Sequence, residues 1–232
     1  MTPVRHVVYL HGFASSPASS KARRFDLELT RRGVGFSCPD LNQPAFETLT
    51  VTRMLDAVQA TLRAAGLGPV ALVGSSLGGF VAVHAALAAG RGRVDRLILM
   101  APAFDFGGNR LRQIGDSGID EWRRTGGLDV FHYADNRPRR VGFALYEDAA
   151  QYDAFSCDLA LPMLVFQGRH DVSVAPASVI EWCRTRPTAS LRLLDDDHQL
   201  TASIDLIWEE SSQFLGTEPF STDRAVLGTE PG

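Results

Sequence analysis

Two rhythms of apolar and polar positions alternate along this chain. Short runs rich in β-branched and other apolar residues, Val4–Leu10, Val34–Cys38, Val70–Val73, Arg96–Met100, Met163–Gln167 and Ser190–Leu194, read as strands. Between most of them lie stretches with helical spacing: Ser19–Arg32, Thr48–Ala65, Leu77–Ala89, Ala175–Arg184 and Thr201–Leu215. Pro162–Gln167 is apolar on successive positions, which suits a strand covered on both faces. The alternation predicts an α/β fold with a mostly parallel sheet of about six strands flanked by helices.

The interval from Phe104 to Cys157 interrupts this rhythm. It mixes glycines, arginines and aromatics and is too long for a plain crossover, since loops beyond about 12–15 residues usually carry function or structure of their own. It reads as a small cap insertion, about residues 105–157, whose inner aromatics line a pocket. After Leu215 the apolar content drops, and Leu215-Gly216-Thr217-Glu218-Pro219 recurs as Leu227-Gly228-Thr229-Glu230-Pro231. The expected organisation is one domain over 1–215 and a tail over 216–232.

The chemistry concentrates at three strand ends. Gly74-Ser75-Ser76-Leu77-Gly78 follows Pro69–Val73 and leads into the helical stretch that starts at Leu77, the strand, sharp turn and helix of a nucleophile elbow with Ser76 at its tip. Glycines two positions either side give room for a strained serine backbone, and Gly79 adds clearance. A serine hydroxyl is a weak nucleophile, so it needs a base and a group to orient that base. Asp171 lies just past Met163–Gln167 and His198 just past Ser190–Leu194, giving the order serine, acid, histidine. Val7–Leu10 runs into His11-Gly12-Phe13, which predicts an oxyanion hole from the N–H groups of Phe13 and Leu77, with His11 and Gly12 as the supporting loop.

Other polar residues take plainer readings. Asp148 and Asp153 follow no strand-like run, and Asp195-Asp196-Asp197 reads as an exposed acidic turn. His84 falls inside the helix after the elbow and is expected to pack in the interior, whereas His6, His132 and His170 have no identifiable partner. Ser19 or Ser20 is a candidate N-cap.

Composition removes other function classes. Cys38, Cys157 and Cys183 are scattered, and no zinc-ligand, Walker or dinucleotide spacing occurs, so neither metal nor cofactor is expected. A net charge of −4 offers nucleic acid or an anionic membrane no long-range attraction, and no apolar stretch approaches the ~20 residues that span a bilayer. The expected partner is a small molecule, the expected location cytoplasmic, and the oligomeric state is left open.

Tyr9-Leu10-His11-Gly12-Phe13, followed by Ser15-Ser16-Pro17 and Ser20-Lys21-Ala22, together with Gly74-Ser75-Ser76-Leu77-Gly78-Gly79, resembles the α/β-hydrolase superfamily over nearly all of 1–215. Within it the chain looks like the small bacterial esterases of the YqiA type. The resemblance implies the α/β-hydrolase fold, with the predicted strands in spatial order second, first, third, fourth, fifth, sixth. It also implies carboxylic-ester hydrolysis by a Ser76, Asp171 and His198 triad without a cofactor; thioesterase or acyltransferase chemistry would use the same groups, and a non-turnover ligand-binding protein is the rival reading. The insertion is longer than in the shortest members, so their substrate preference does not carry over.

Overall fold

The computed structural model describes residues 4–108 and 114–217. Six strands form one sheet: β1 (His6–Leu10), β2 (Gly35–Ser37), β3 (Val70–Ser75), β4 (Val94–Met100), β7 (Met163–Gly168) and β8 (Ala189–Leu194). Their spatial order is β2-β1-β3-β4-β7-β8, and every pairing is parallel. This is the α/β architecture the strand–helix alternation predicts, in the expected order.

Period-2 alternation sorts the strand side chains onto two cores. Val7 and Tyr9 of β1, Ala71 and Val73 of β3, and Ile98 and Met100 of β4 face one side, with Phe25, Leu29 and Trp208. Those aromatic and aliphatic anchors come from α1 (Ser20–Arg31) and α7 (Ile204–Leu215). Val8 and Leu10, Leu72, and Leu97 and Leu99 face the other side, against Met54, Phe80 and Trp182. Here the covering helices are α2 (Val51–Ala64), α3 (Leu77–Ala88) and α6 (Pro176–Arg184). β3 and β7 are buried at all positions, as strands covered on both faces must be.

Local signals set the helix ends. Ser19 Oγ accepts the Ala22 N–H at 3.4 Å to cap α1, which then buries Ala22, Phe25 and Leu29 on one stripe. Each such large side chain removed from water contributes ~1.5–3 kcal/mol. Gly216 ends α7 in the left-handed conformation, φ 67°. The expected tail beyond Thr217 lies outside the described residues.

Between β4 and β7 the chain forms α4 (Gly115–Thr125), β5 (Gly127–His132), β6 (Arg137–Gly142) and α5 (Ala144–Ala149). The cap is therefore not all helical: β5 and β6 pair as an antiparallel hairpin. Leu128, Val130 and Val141 turn inward, while Asp129 and Arg140 pair on the outer face. The hairpin rests on the body through Arg139, which clasps the Glu47 carboxylate at 2.7 and 2.9 Å, and through Tyr133 N–H, which donates to the Ala14 carbonyl at 2.8 Å.

The chain steps outward from β1 to β2, then returns across β1 to β3 and onward. Loops leaving β1 and β3 diverge at that switch point, where open α/β sheets leave a crevice at the carboxyl ends of their strands.

Candidate active site

Ser76 sits at that crevice in a backbone conformation L-residues avoid, φ 53° and ψ −118°. The surroundings enforce it. Ser76 N–H donates to Met100 O at 2.9 Å, and the Ser76 carbonyl accepts from Gly79 and Ala103 N–H at 2.9 and 3.1 Å. A side chain at Gly78 would strike the backbone of Leu10 and His11, so the glycine lets the turn press against the β1 loop.

Asp171 lies on the turn after β7 with its side chain fully buried. Oδ1 accepts the N–H groups of Ser173 and Val174, both at 2.8 Å. Oδ2 accepts from Gln167 Nε2 at 2.9 Å and from His198 Nδ1 at 2.8 Å. Burial pushes the carboxyl up, but the His198 bond, the Val174 N–H and the Gln167 amide outweigh it and leave Asp171 below its ordinary value. A carboxylate only accepts, so the neutral His198 ring carries its hydrogen on Nδ1 and turns a bare Nε2 toward Ser76 Oγ, 3.1 Å away.

The loop that delivers His198 is built by polar contacts and anchored in the core by the buried Leu200. Asp196, expected in an exposed turn, is instead buried, because its carboxylate accepts the N–H groups of Asp197 and Ser203, both at 2.8 Å. Asp195 does face solvent and pairs with His170 at 2.7 Å. Lys21 Nζ donates to Gln199 O at 2.7 Å, tying α1 to the residue after His198.

Gly12 lies against the elbow, with the position of a Cβ 3.4 Å from Ser75 O and from Ser76 Cβ. His11 is buried; its Nδ1 donates to Gly12 O at 2.9 Å and its Nε2 accepts Leu41 N–H at 3.0 Å. In a trans peptide the carbonyl and the following N–H point opposite ways, so anchoring Gly12 O on His11 turns Phe13 N–H away from the imidazole. Leu77 N–H is the first of α3, among the helix amides that lack an intrahelical acceptor. Among the described residues neither N–H meets an acceptor.

A cleft of about 890 Å³ opens over these groups, lined among others by Gly12, Phe13, Ser76, Leu77 and His198. Of the cap aromatics, Phe106, Trp122 and Tyr133 reach the cleft, while Phe143 and Tyr146 pack on Trp122 instead. The remaining candidates are structural. His84 is buried 3.5 Å from Cys157 Sγ, and burial lowers it to about 4. His132 stands edge-on to Phe46, His6 bonds Ser37 Oγ at 2.9 Å, Asp148 accepts from Thr52 and Asp153 from Ser156. The sequence reading passes over Gln167, which it counts into a strand; the loop from Ala14 to Lys21 reads from sequence as a polar rim of the cleft or a helix entry, and in the structure it serves as both. The signal for Gln167 was an amide at the end of an otherwise apolar run.

Comparison with known proteins agrees with this fold. The chain resembles a putative hydrolase from Agrobacterium vitis at 25% identity and TM-score 0.80, covering 90% of this chain and 87% of that one. It shares its fold with alpha/beta hydrolase domain-containing protein 10 from mouse (21% identity, 94% and 93% covered, TM-score 0.77) and with Est1E from Butyrivibrio proteoclasticus, solved with ferulic acid (18%, 92% and 88%, 0.74). A segment of 88 residues is 36% identical to Lipase LipV of Mycobacterium tuberculosis and covers 36% of this chain; the match spans about a third of that protein's length, 33%. Residues 6–175, from β1 past the elbow to Asp171, match the model of the uncharacterised protein family UPF0227. The chain is an α/β-hydrolase that belongs to this family, as the YqiA-type resemblance implies.

Proposed function

We propose that this protein is a serine hydrolase that cleaves carboxylic esters through an acyl-enzyme on Ser76. The observation that carries the reading is the unbroken relay from Asp171 to His198 to Ser76, at 2.8 and 3.1 Å, in a cleft roofed by apolar side chains. The lipase and hydrolase names of the similar proteins are in keeping with it.

Ser76 Oγ attacks the ester carbonyl as His198 Nε2 takes its proton, and Asp171 holds the ring and stabilises the imidazolium. The carbonyl oxygen becomes an oxyanion that receives the N–H groups of Phe13 and Leu77; one such donor is worth about 2.7–4 kcal/mol in the transition state. His198 returns the proton to the departing alcohol, then deprotonates the water that attacks the acyl-enzyme, and Ser76 recovers its hydrogen.

Ser76→Ala should lower kcat on a nitrophenyl ester by about 10⁴–10⁶ with the melting temperature held, and should abolish labelling by a fluorophosphonate. A variant that keeps a tenth of the activity removes Ser76 from the mechanism. Rapid labelling of the parent chain with no turnover of esters or thioesters would instead favour a binding protein on a hydrolase scaffold.

A further inference from the structure

The cleft over Ser76 has two unlike walls. One is apolar: Phe106, Trp122, Leu128, Val130 and Val141 all join the core on the cap's side of the sheet. The other comes from the loop after β1 and the first turn of α1, the helix on the opposite face, and presents Ser16, Ser20, Lys21 and Arg23. A neutral ester needs nothing from that second wall. Its carbonyl is served by backbone N–H groups, and its hydrocarbon by the cap.

The cations on the polar wall have little to do inside the protein. Lys21 has three N–H donors and gives one to Gln199 O. No carboxylate comes within ion-pair distance of Lys21 or Arg23 among the described residues. Burial lowers Lys21 to about 8 although Asp196, Asp197 and Asp171 pull the other way, so the ammonium persists at neutral pH in a half-desolvated place where a further acceptor is worth most. Asp105, the acid among the residues lining the cleft, is the neighbour of Phe106 on the apolar wall.

We propose that the polar wall is an anion subsite: the natural substrate is an amphiphilic ester whose apolar part lies beneath the cap and whose other part carries a carboxylate or phosphate received by Lys21 and Arg23. An ammonium and a guanidinium beside serine hydroxyls give the charge-assisted donors such a group requires. The proposal rests on the ester-hydrolase reading for the reaction, and on the cleft alone for the binding.

The test compares esters that differ by one charge. Two pairs place the anion on either side of the scissile bond: 4-nitrophenyl pentanoate against the 4-nitrophenyl monoester of glutarate, and 4-nitrophenyl acetate against its 3-carboxy analogue. The parent chain should favour the charged member of one pair at least tenfold in kcat/KM, and Lys21→Gln with Arg23→Gln should bring that ratio near one. If Lys21 merely holds the Gln199 carbonyl and so the His198 loop, both members fall in proportion and the ratio stays; that result, or a parent chain that prefers the neutral member of both pairs, overturns the subsite. Should no ester be turned over, the catalytic reading has failed and binding decides. Calorimetry on Ser76→Ala with octyl phosphate, octanoate and 1-octanol should then give at least tenfold tighter binding of one anion, lost on adding the Lys21 and Arg23 changes, and the tighter anion identifies the group. Equal binding of all three sinks the proposal.

Discussion

Around Ser76 the backbone closes on itself. The elbow is held by its own amides, by Met100 O and by the close approach of the β1 loop, and Gly78 is there because two main chains meet with no room for a side chain. The cap over the same cleft touches the body largely through side chains, Arg139 on Glu47 and over Phe46 and Thr52 on Asp148, beside a main-chain bond from Tyr133 N–H to Ala14 O. The first kind of contact defines positions to fractions of an ångström; the second tolerates exchange. In this reading the floor of the cleft carries the reaction and the roof the choice of substrate, and substitutions in the two should differ in kind as well as in size.

The largest effect after loss of Ser76 is expected at Asp171. Asp171→Asn keeps the side chain's shape but removes the charge that selects the His198 tautomer, and should lower kcat by about 10⁴ with KM little changed. A loss under tenfold would detach Asp171 from the relay. Stability gives a second reading with a definite sign. The folded-state carboxyl is held below its ordinary value, so its charge stabilises the fold above the unfolded carboxylate pKa of about 3.9, and that stability is lost as pH falls through the depressed folded value. The advantage of the parent chain over Asp171→Asn in chemical denaturation should therefore be full at pH 6 and shrink steadily below pH 4.

How much of this was legible without coordinates follows the same division. The elbow, the candidate acid and the candidate histidine could be picked out because each lies just beyond a run of apolar residues and the turn at Ser76 requires the glycines beside it, whereas the strand order came from the family resemblance and not from the pattern. The hairpin was not: Gly127, Arg137, Pro138 and Arg139 break the alternation that marks a strand, and its inner face is recognisable only once Leu128, Val130 and Val141 are seen against the core. Asp196 was misjudged because three consecutive aspartates look solvated, yet the middle one folds back onto the amides of its own loop. Lys21 joins Gln199 across 178 positions, and no local pattern carries a contact of that range.

A smaller effect tests the support of the oxyanion loop. In the proposed mechanism His11 touches no reacting atom and serves as a positioning residue through its bonds to Gly12 O and Leu41 N–H. His11→Ala should cost about 10-fold to 100-fold in kcat, less than the ~10²–10³ of an oxyanion donor removed outright, with KM nearly constant. Asn places an amide N–H where Nδ1 stood, so His11→Asn should recover most of the loss. Equal damage from both variants in kcat and in melting temperature would reduce His11 to packing.

The least effect is expected where the roof meets the floor. Arg139 and Glu47 form a bidentate pair, but their side chains are 21% and 49% exposed, and such pairs contribute only ~0.2–1 kcal/mol once screening and side-chain entropy are counted. Arg139 also lies 5.5 Å over the Phe46 ring, worth about 0.5–1 kcal/mol at an exposed site. Arg139→Ala should therefore lower the unfolding free energy by about 1 kcal/mol. Phe46 itself packs on Phe13, so the loosened contact lies one ring away from the loop proposed to supply an oxyanion donor. If floor and roof act independently, kcat on 4-nitrophenyl acetate changes less than about twofold, while the ranking of longer acyl chains shifts because the hairpin bearing Leu128 and Val130 is freer to move. A large fall in kcat on the acetate would mean that Arg139 reaches the reaction through Phe46 and Phe13, and that the roof takes part in building the oxyanion hole.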